Sequence, residues 1–268
     1  MTKPESTLRG RELGRRLRWA QERAGLNGIQ LAERLGWTPT AVSRTLSGRR
    51  PTPDVDVAAF LAVCGVTGEE RDRTLRLCHP DDGSDELRLS ATEYWPVFLA
   101  HAATARRLTE FQPFTVPWAL QTPDYTRALL DDTETAARRA ALALLRLPQV
   151  TVFLYEWALR TTVGNAEVMS DQLHHLLRMS VRSELSIRVV PNGRGAYGAF
   201  TLLEFDDDPP TVYREQYAAG VLTERSNEID ACESVVGHLD RVDLDEHDSR
   251  DLIGRIVVDV YSAALLEA

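Results

Sequence analysis

The sequence has few cysteines, no long apolar run and no leader-like start. Its three cysteines, Cys64, Cys78 and Cys232, are widely spaced and form no CxxC pair, which argues against a disulfide framework and against a zinc site. No stretch of 18 residues is uninterruptedly apolar, and the first residues, MTKPESTLRGRELGRR, lack the apolar core of a secretory signal. These absences predict a cytoplasmic protein whose cysteines are small buried hydrophobes.

Positive charge is also scarce, except at one end of the chain. The 268 residues carry a formal net charge of -9. Residues 1–50 nevertheless contain 11 Lys and Arg against four Asp and Glu, a formal charge of +7, so the rest of the chain carries -16. This asymmetry predicts that the N-terminal part meets a polyanion while the remainder keeps the protein soluble.

The length and the pattern of the chain predict two domains. Residues 1–79 read as consecutive short helices, the first with Leu13, Leu17 and Ala20 on one face. The polar cluster HPDDGSDE follows, and we place a linker at 80–90. The remaining residues, 91–268, form the second domain.

The second domain alternates between two patterns. Helical periodicity is found at 91–107, 123–147, 166–181, 224–240 and 248–268. Runs rich in β-branched and aromatic residues, bounded by Pro, Gly or Asp, are found at 150–157, 185–191, 199–205 and 211–216. The fold class predicted for the whole chain is therefore α+β: an all-α head followed by a larger domain with four or five strands in a mixed or antiparallel sheet.

The segment GLNGIQLAERLGWTPTAVSRTLSGRR, residues 25–50, contains two short helices and a turn. Asn27 is placed to cap the first helix, with Gln30 three residues on to complete a capping box. Gly36 follows Leu35, where a glycine ends a helix by adopting a positive φ. Thr38 is placed to cap the next helix, in which a proline takes the first position.

The second of these helices has one apolar side and one polar side. Val42 and Leu46 are four residues apart and are predicted to pack inward. The outward residues are then Thr40, Ser43, Arg44 and Ser47. Two short helices joined by a glycine-containing turn are typical of a helix-turn-helix, whose second helix enters the major groove of DNA.

This pattern resembles the lambda-repressor-like (Xre-type) DNA-binding domain. The residues that carry the resemblance are Leu26, Asn27, Gly28, Leu31, Ala32, Gly36, Trp37, Thr38, Val42, Ser43 and Gly48. Gly28 and Pro39 stand where the family commonly has glutamine, so neither supplies a side-chain contact. Reading of base edges then falls on Thr40 and Arg44, with Ala41 and Ser43 beside them. Arg49 and Arg50 are predicted to contact phosphates.

The resemblance implies that the protein binds double-stranded DNA. We expect a homodimer, because single helix-turn-helix units gain useful affinity by pairing on two half-sites. The predicted DNA-binding residues are Asn27, Gly28, Thr38, Thr40, Ala41, Ser43, Arg44, Ser47, Arg49 and Arg50. The last helix, with Leu252, Ile256, Val260 and Leu266 among its apolar positions, is a candidate for the dimer interface, although a helix packed in the core would look the same.

The second domain resembles the C-terminal domain of an actinobacterial regulator group described as WhiJ-like and antitoxin-like. The resemblance lies in 114–130, 155–177, 189–205 and 211–216, in the family's order. Trp118 replaces a usual glycine, and a usual arginine-glutamine pair near Arg138 is absent. The resemblance implies a transcriptional regulator whose second domain senses a small protein encoded beside it, or another signal.

Other functions of the second domain have weaker support in the sequence. Glu156 and Glu215 end predicted strands and could be paired carboxylates, but ion pairs with nearby arginines explain them more simply. His174 and His175 are adjacent on a helix and diverge, so they do not suit one metal. We expect no catalytic residue, no cofactor and no metal. A small-molecule-responsive repressor and, less favoured, an enzyme domain fused to a DNA-binding head are the alternatives.

Overall fold

The computed structural model describes residues 6–79, 86–90, 93–130, 149–194, 197–216 and 219–262. The chain divides into two compact units. The first comprises Met1–Leu87 together with Thr223–Arg225, and the second comprises Arg88–Leu222 and Ser226–Ala268. Thr223–Arg225 therefore cluster with the first unit, although the chain on both sides of them belongs to the second.

The first unit is built mainly from helices. They are α1 (Leu8–Arg23), α2 (Gly28–Leu35), α3 (Pro39–Leu46), α4 (Asp54–Val63) and α5 (Gly68–Leu75), followed by a 3-10 turn at Arg76–Cys78. Thr7 begins α1, because its hydroxyl accepts a hydrogen bond from the backbone N–H of Gly10. Leu17 of α1, Leu31 of α2 and Phe60 of α4 are fully buried. The all-helical head predicted from the sequence is confirmed.

The rest of the chain combines a sheet with helices. The strands are β1 (Glu86–Ser90), β2 (Arg107–Gln112), β3 (Gln149–Tyr155), β4 (Leu185–Val190), β5 (Phe200–Glu204), β6 (Thr211–Gln216) and β7 (Ala219–Thr223). The helices are α6 (Tyr94–Ala102), α7 (Pro123–Leu130), α8 (Glu156–Arg160), α9 (Ala166–Met179), α10 (Ser226–Val242) and α11 (Glu246–Ile256). A π-helical turn, Val257–Ser262, follows α11.

The seven strands form one mixed sheet in the order β1-β7-β6-β5-β2-β3-β4. β2 and β3 run parallel, as do β3 and β4. β5 is antiparallel to both β2 and β6. The predicted α+β class is therefore confirmed, and of the two sheet types predicted, the mixed one is observed.

One face of the sheet carries an apolar core closed by α10. Phe111 of β2 lies opposite Phe153 of β3 and Phe200 of β5. Ile229, Cys232 and Leu239 of α10 belong to the same buried cluster. Cys232 is thus the small buried hydrophobe predicted, while Cys64 and Cys78 are half-buried, and all three thiols are free.

The four strands predicted from the sequence are present as β3 to β6, but β1, β2 and β7 were not predicted. The predicted linker 80–90 contains β1, because Leu87 and Leu89 alternate with polar residues and are buried; residues 80–85 lie outside the described residues. The predicted helix 91–107 ends at Ala102. β2 then begins at Arg107, and the sequence conceals it because its buried positions include Thr109 and Glu110, which interrupt an apolar run.

The predicted helices also differ from the observed ones in extent. The helix predicted at 123–147 is observed as α7 up to Leu130, and the remainder lies outside the described residues. The last predicted helix, 248–268, is α11 followed by the π-helical turn, and residues 263–268 are likewise outside the described part. Within the residues that the structure describes, no helix combines the length and the apolar character needed to cross a membrane.

Candidate nucleic-acid interface

The first helix of the predicted helix-turn-helix begins at a complete capping box. The side chain of Asn27 accepts hydrogen bonds from the backbone N–H groups of Ile29 at 3.0 Å and Gln30 at 2.9 Å. The Gln30 side chain in turn accepts from the backbone N–H of Asn27 at 3.0 Å. The predicted cap is confirmed, and it fixes the start of α2 with Gly28 as the first helical residue.

The turn between the two helices is built by a glycine and a threonine. Gly36 ends α2 with φ of 67°, a conformation that L-residues with a Cβ rarely adopt. The backbone N–H of Trp37 then donates to the carbonyl of Ala32 at 2.9 Å. Thr38 accepts from the backbone N–H of Ala41 at 3.1 Å and so begins α3. Pro39 occupies the first position of that helix, as predicted.

Helix α3 has a buried and an exposed side. Val42 and Thr45 are both 1 % exposed and face the interior. Thr45 takes the inward position next to Leu46, which is only half-buried. The residues on the solvent side are Thr38, Thr40, Ser43 and Arg44, which are exposed, and Ala41, which is half-buried. Ser47, predicted to face outward, is half-buried and donates from its hydroxyl to the carbonyl of Arg44 at 3.2 Å.

Helix α3 is held against α1 by a contact between backbones. A Cβ placed on Gly14 would lie 2.8 Å from the carbonyl carbon of Leu46 and closer still to its oxygen. A Cβ on Gly10 would lie 2.7 Å from the carbonyl oxygen of Gly48. Arg18 adds a hydrogen bond from its guanidinium to the Leu46 carbonyl at 3.0 Å. The position of α3 therefore depends on two glycines of α1, four residues apart, that leave no room for a side chain.

The arginines near α3 fall into two groups. Within the described residues, the hydrogen bonds at Arg44 and Arg49 involve backbone atoms, with the N–H of Arg49 donating to the carbonyl of Arg44 at 3.0 Å. Arg50 instead packs its guanidinium over the Trp37 ring, 4.9 Å from the centroid, and pairs with Asp56 at 3.3 Å. Arg50 thus connects the segment between α3 and α4 to α4, a role that the sequence did not reveal. The contact of Arg50 with phosphate stays a prediction.

A buried carboxylate holds two arginines of α1 in place. Glu12 is fully buried and accepts hydrogen bonds from Arg15 at 2.7 Å and from Arg16 at 2.8 Å. Burial raises the pKa of the Glu12 carboxyl, but the hydrogen bonds and charges of Arg15 and Arg16 outweigh burial and hold its pKa below its usual range. Both arginines are thereby fixed in place by residues of their own helix.

A second ion-pair network holds the beginning of α1. Glu224 accepts a hydrogen bond from the backbone N–H of Leu8 at 2.9 Å and forms an ion pair with Arg11. Arg225 pairs with Glu86 at 3.1 Å, and Arg9 donates to the carbonyl of Glu86. Sequence reasoning missed these contacts because more than 200 residues separate Glu224 from α1. The two glycines of α1, by contrast, left a signal in their spacing.

The motif residues of the second unit are explained by internal hydrogen bonds. Gln172 is fully buried; its side chain donates to the carbonyl of Leu120 at 2.7 Å and accepts from the backbone N–H of Thr122 at 2.7 Å. Gln121 donates to the carbonyl of Val116 at 2.7 Å and accepts from the hydroxyl of Thr126 at 3.0 Å. Gln172 therefore fastens the segment 120–122 to α9, and Gln121 joins residues within the segment 116–126.

The carboxylates considered as a catalytic pair and the histidines considered as metal ligands lie in separate environments. Glu156 pairs with Arg160 at 2.7 Å, and Glu215 accepts from the Tyr94 hydroxyl at 3.0 Å. The ring of His174 lies 2.8 Å from the carbonyl of Ser170. Burial and, second, the charge of Arg178 lower the pKa of His175. Within the described ranges, no three His, Cys, Asp or Glu residues are grouped as metal ligands.

Comparison with protein families agrees with the two units. Residues 12–74 match the family model described as "Helix-turn-helix domain". Residues 95–255 match the model described as "Domain of unknown function (DUF5753)". No curated protein matches the chain. The helix-turn-helix match identifies the first unit as a module of DNA-binding regulators. Since the second match covers more than half of the 268 residues, the chain belongs to the family of proteins that carry the DUF5753 domain.

Proposed function

We propose that the protein is a transcriptional regulator that binds double-stranded DNA sequence-specifically. The observation that carries the proposal is the solvent side of α3, where Thr40, Ser43 and Arg44 are exposed on a helix fixed by its cap and by its contact with α1. A short polar helix presented in this way is the element that enters the major groove in helix-turn-helix proteins.

The residues of the proposed interface divide between base edges and phosphates. Thr40 and Arg44 lie on the same side of α3, four residues apart, and we assign them to base edges. An arginine bound to guanine through two hydrogen bonds is the commonest specific contact. Arg49 follows the end of α3, and we assign it to phosphates together with the backbone N–H of Gly28, the first residue of α2.

Two arginine substitutions separate these roles. After an operator has been selected from random duplexes, Arg44→Ala is expected to relax the preference at one base pair by about 1–3 kcal/mol, because base contacts specify. Arg49→Ala is expected to weaken all duplexes about equally and to lower the slope of log K against log salt by about one, because a phosphate contact is lost. Fluorescence anisotropy across a salt series measures both effects.

The control for this experiment is Arg71→Ala. Arg71 lies on α5, pairs with Asp72 and has no place in the proposed interface, so operator affinity should be unchanged. A protein whose Arg44→Ala variant keeps the full base preference does not read DNA through α3. Binding that is independent of salt would exclude the phosphate contacts.

We also propose that the protein works as a homodimer on two half-sites. Single helix-turn-helix units gain affinity by binding half-sites about one helical turn apart. The expected result is an operator with two-fold symmetry, bound by two chains, and a dimer in light scattering at micromolar concentration. A monomer in solution that binds one half-site as tightly as the whole operator contradicts the proposal. Of the candidate interface residues, Ile256 is buried within its own chain, and Leu266 lies outside the described residues.

The role that we propose for the second domain is regulatory. The likeness of its motifs to antitoxin-like regulators supports a domain that senses a small protein encoded beside it, or another signal, and changes DNA occupancy in the cytoplasm. The carboxylate of Glu156, which binds Arg160 and the backbone N–H of Asn192, serves structure rather than catalysis. Co-purification of the neighbouring small protein, and a changed operator affinity when it is added, test this role.

A further inference from the structure

A cavity of about 440 Å³ opens in the first unit. Its walls are formed by Arg9, Leu13 and neighbouring residues of α1, by the segment 48–52 after α3, and by Leu77 and Cys78 of the 3-10 turn. The volume falls within the range of pockets that bind small molecules in proteins. The operator interface on α3 uses none of the α1 residues or 3-10 residues of this wall.

The wall of the cavity is positively charged. Arg9, Arg49 and Arg50 line it, and no Asp or Glu is found among the described residues that line it. Guanidinium groups bind carboxylates and phosphates through planar pairs of N–H donors. The charge of the wall therefore selects for an anion.

Two of the guanidiniums are held in position by other residues of the first unit. Arg9 is fixed through its hydrogen bond to the carbonyl of Glu86, and Arg50 through Asp56 and the ring of Trp37. The Nε of Arg9 and one terminal nitrogen of Arg50, Nη1, are nevertheless buried and have no hydrogen-bond partner in the described part of the chain. These two nitrogens have almost no accessible surface, so a ligand in the cavity is bound through the other N–H groups of the two guanidiniums and of Arg49.

The remaining wall of the cavity is apolar. Leu13 and Leu77 are buried there, beside Pro51. Burial and, second, the charge of Asp54 raise the pKa of the Cys78 thiol to about 11, so the thiol is neutral at physiological pH and behaves as an apolar group. A ligand that fills this space thus needs a compact apolar body attached to its anionic group.

We propose that this cavity binds a small organic anion, with a carboxylate or phosphate group on Arg9 and Arg50 and an apolar body on Leu13 and Leu77. The site lies in the first unit, whereas the small-molecule-responsive alternative places its pocket in the second domain. Arg49 shares the wall, so the bound anion competes with DNA phosphate for that guanidinium. This last consequence rests on the proposed function, but the binding site itself does not.

Calorimetric titration of the full chain at constant ionic strength tests the site without DNA. Benzoate and phenyl phosphate are the probes, and they distinguish a carboxylate from a phosphate group. Inorganic phosphate and benzyl alcohol represent the anionic and the apolar part alone. We expect at least one aromatic anion to bind with one-to-one stoichiometry and about tenfold more tightly than either reference. Absence of saturable binding by both aromatic anions overturns the proposal, as does equal affinity for inorganic phosphate.

Three variants locate the binding. Arg9→Met removes one guanidinium and Cys78→Leu fills the space while keeping every arginine, so each should weaken binding by about tenfold or more. Arg34→Met removes an exposed arginine of α2 that does not line the cavity, and it should bind like the wild type. Thermal unfolding checks that each variant is folded. If Arg9→Met does not fold, Cys78→Leu still provides the test. Wild-type affinity in the folded variants places the anion elsewhere and overturns the proposal.

Discussion

Replacing Gly14 by alanine is expected to abolish operator binding and to destabilise the first unit by about 3 kcal/mol or more. The new Cβ would lie 2.8 Å from the carbonyl carbon of Leu46. The obstructing atoms belong to the backbone of α3, so no side-chain rotation relieves the clash. α1 and α3 must then separate, and α3 loses its position. Thermal unfolding and fluorescence anisotropy with the selected operator measure the two effects.

Gly254→Ala is the matched control for this substitution. Gly254 is also an interior glycine of a helix, α11, but a Cβ there meets no atom within 4 Å. Alanine should therefore leave DNA binding unchanged and raise stability by about 0.5–1 kcal/mol, since alanine loses less conformational freedom than glycine in a helix. If the Gly14→Ala variant has the unfolding temperature and the operator affinity of the wild type, the backbone contact does not position α3.

Glu224→Ala is expected to loosen the start of α1 and to cost about 3 kcal/mol. The side chains of Glu224 and Arg11 are only 12% and 13% exposed, and the same carboxylate accepts the backbone N–H of Leu8. Without this carboxylate, the Leu8 N–H and the nearly buried Arg11 guanidinium each lose one acceptor. Arg11 keeps its hydrogen bond to the carbonyl of Ser6 at 2.9 Å. Hydrogen exchange of the amides in α1 measures the local effect, and urea unfolding measures the total.

A surface pair and a double mutant control this second prediction. Glu69, whose side chain is 76% exposed, pairs with Arg73 on α5, so Glu69→Ala should change stability by less than about 1 kcal/mol. Arg11→Met combined with Glu224→Ala should cost less than the sum of the two single changes, because they remove the same interaction. Additive costs, or unchanged exchange in α1, contradict a role for Glu224 in holding this helix.

The Glu224 network also bears on where the first domain ends. The sequence places the end of the head at residue 79, because a polar cluster follows that position. The structure places Glu86–Leu87 and Thr223–Arg225 with the first unit as well, and Glu224 and Arg225 supply ion pairs to it. A fragment that stops at residue 79 lacks these residues. We therefore expect it to unfold at a lower temperature than the same unit in the full chain.

The local features of the candidate site were predictable from the sequence. The capping box of Asn27 and Gln30, the positive φ of Gly36 and the cap of Thr38 all join residues at most a few positions apart. Their geometry follows from residue type and spacing alone. The strands β3 to β6 were equally accessible, since clear turn signals bound their β-branched and aromatic runs. β2 was not predictable in this way, because polar residues such as Thr109 and Glu110 are typical of exposed positions, and here the neighbouring strands bury them.

Residue type and spacing alone were enough to predict a capped helix-turn-helix at a basic end and an α+β domain after it, because caps, turns and hydrophobic periodicity are local properties. Which arginines are engaged within the chain follows instead from tertiary packing. Arg50 is engaged by Trp37 and Asp56, and Arg11 is engaged by Glu224, whereas Arg44 stays exposed. Ion pairs and burial depend on which elements pack together, and segments more than 200 residues apart meet only in the folded chain.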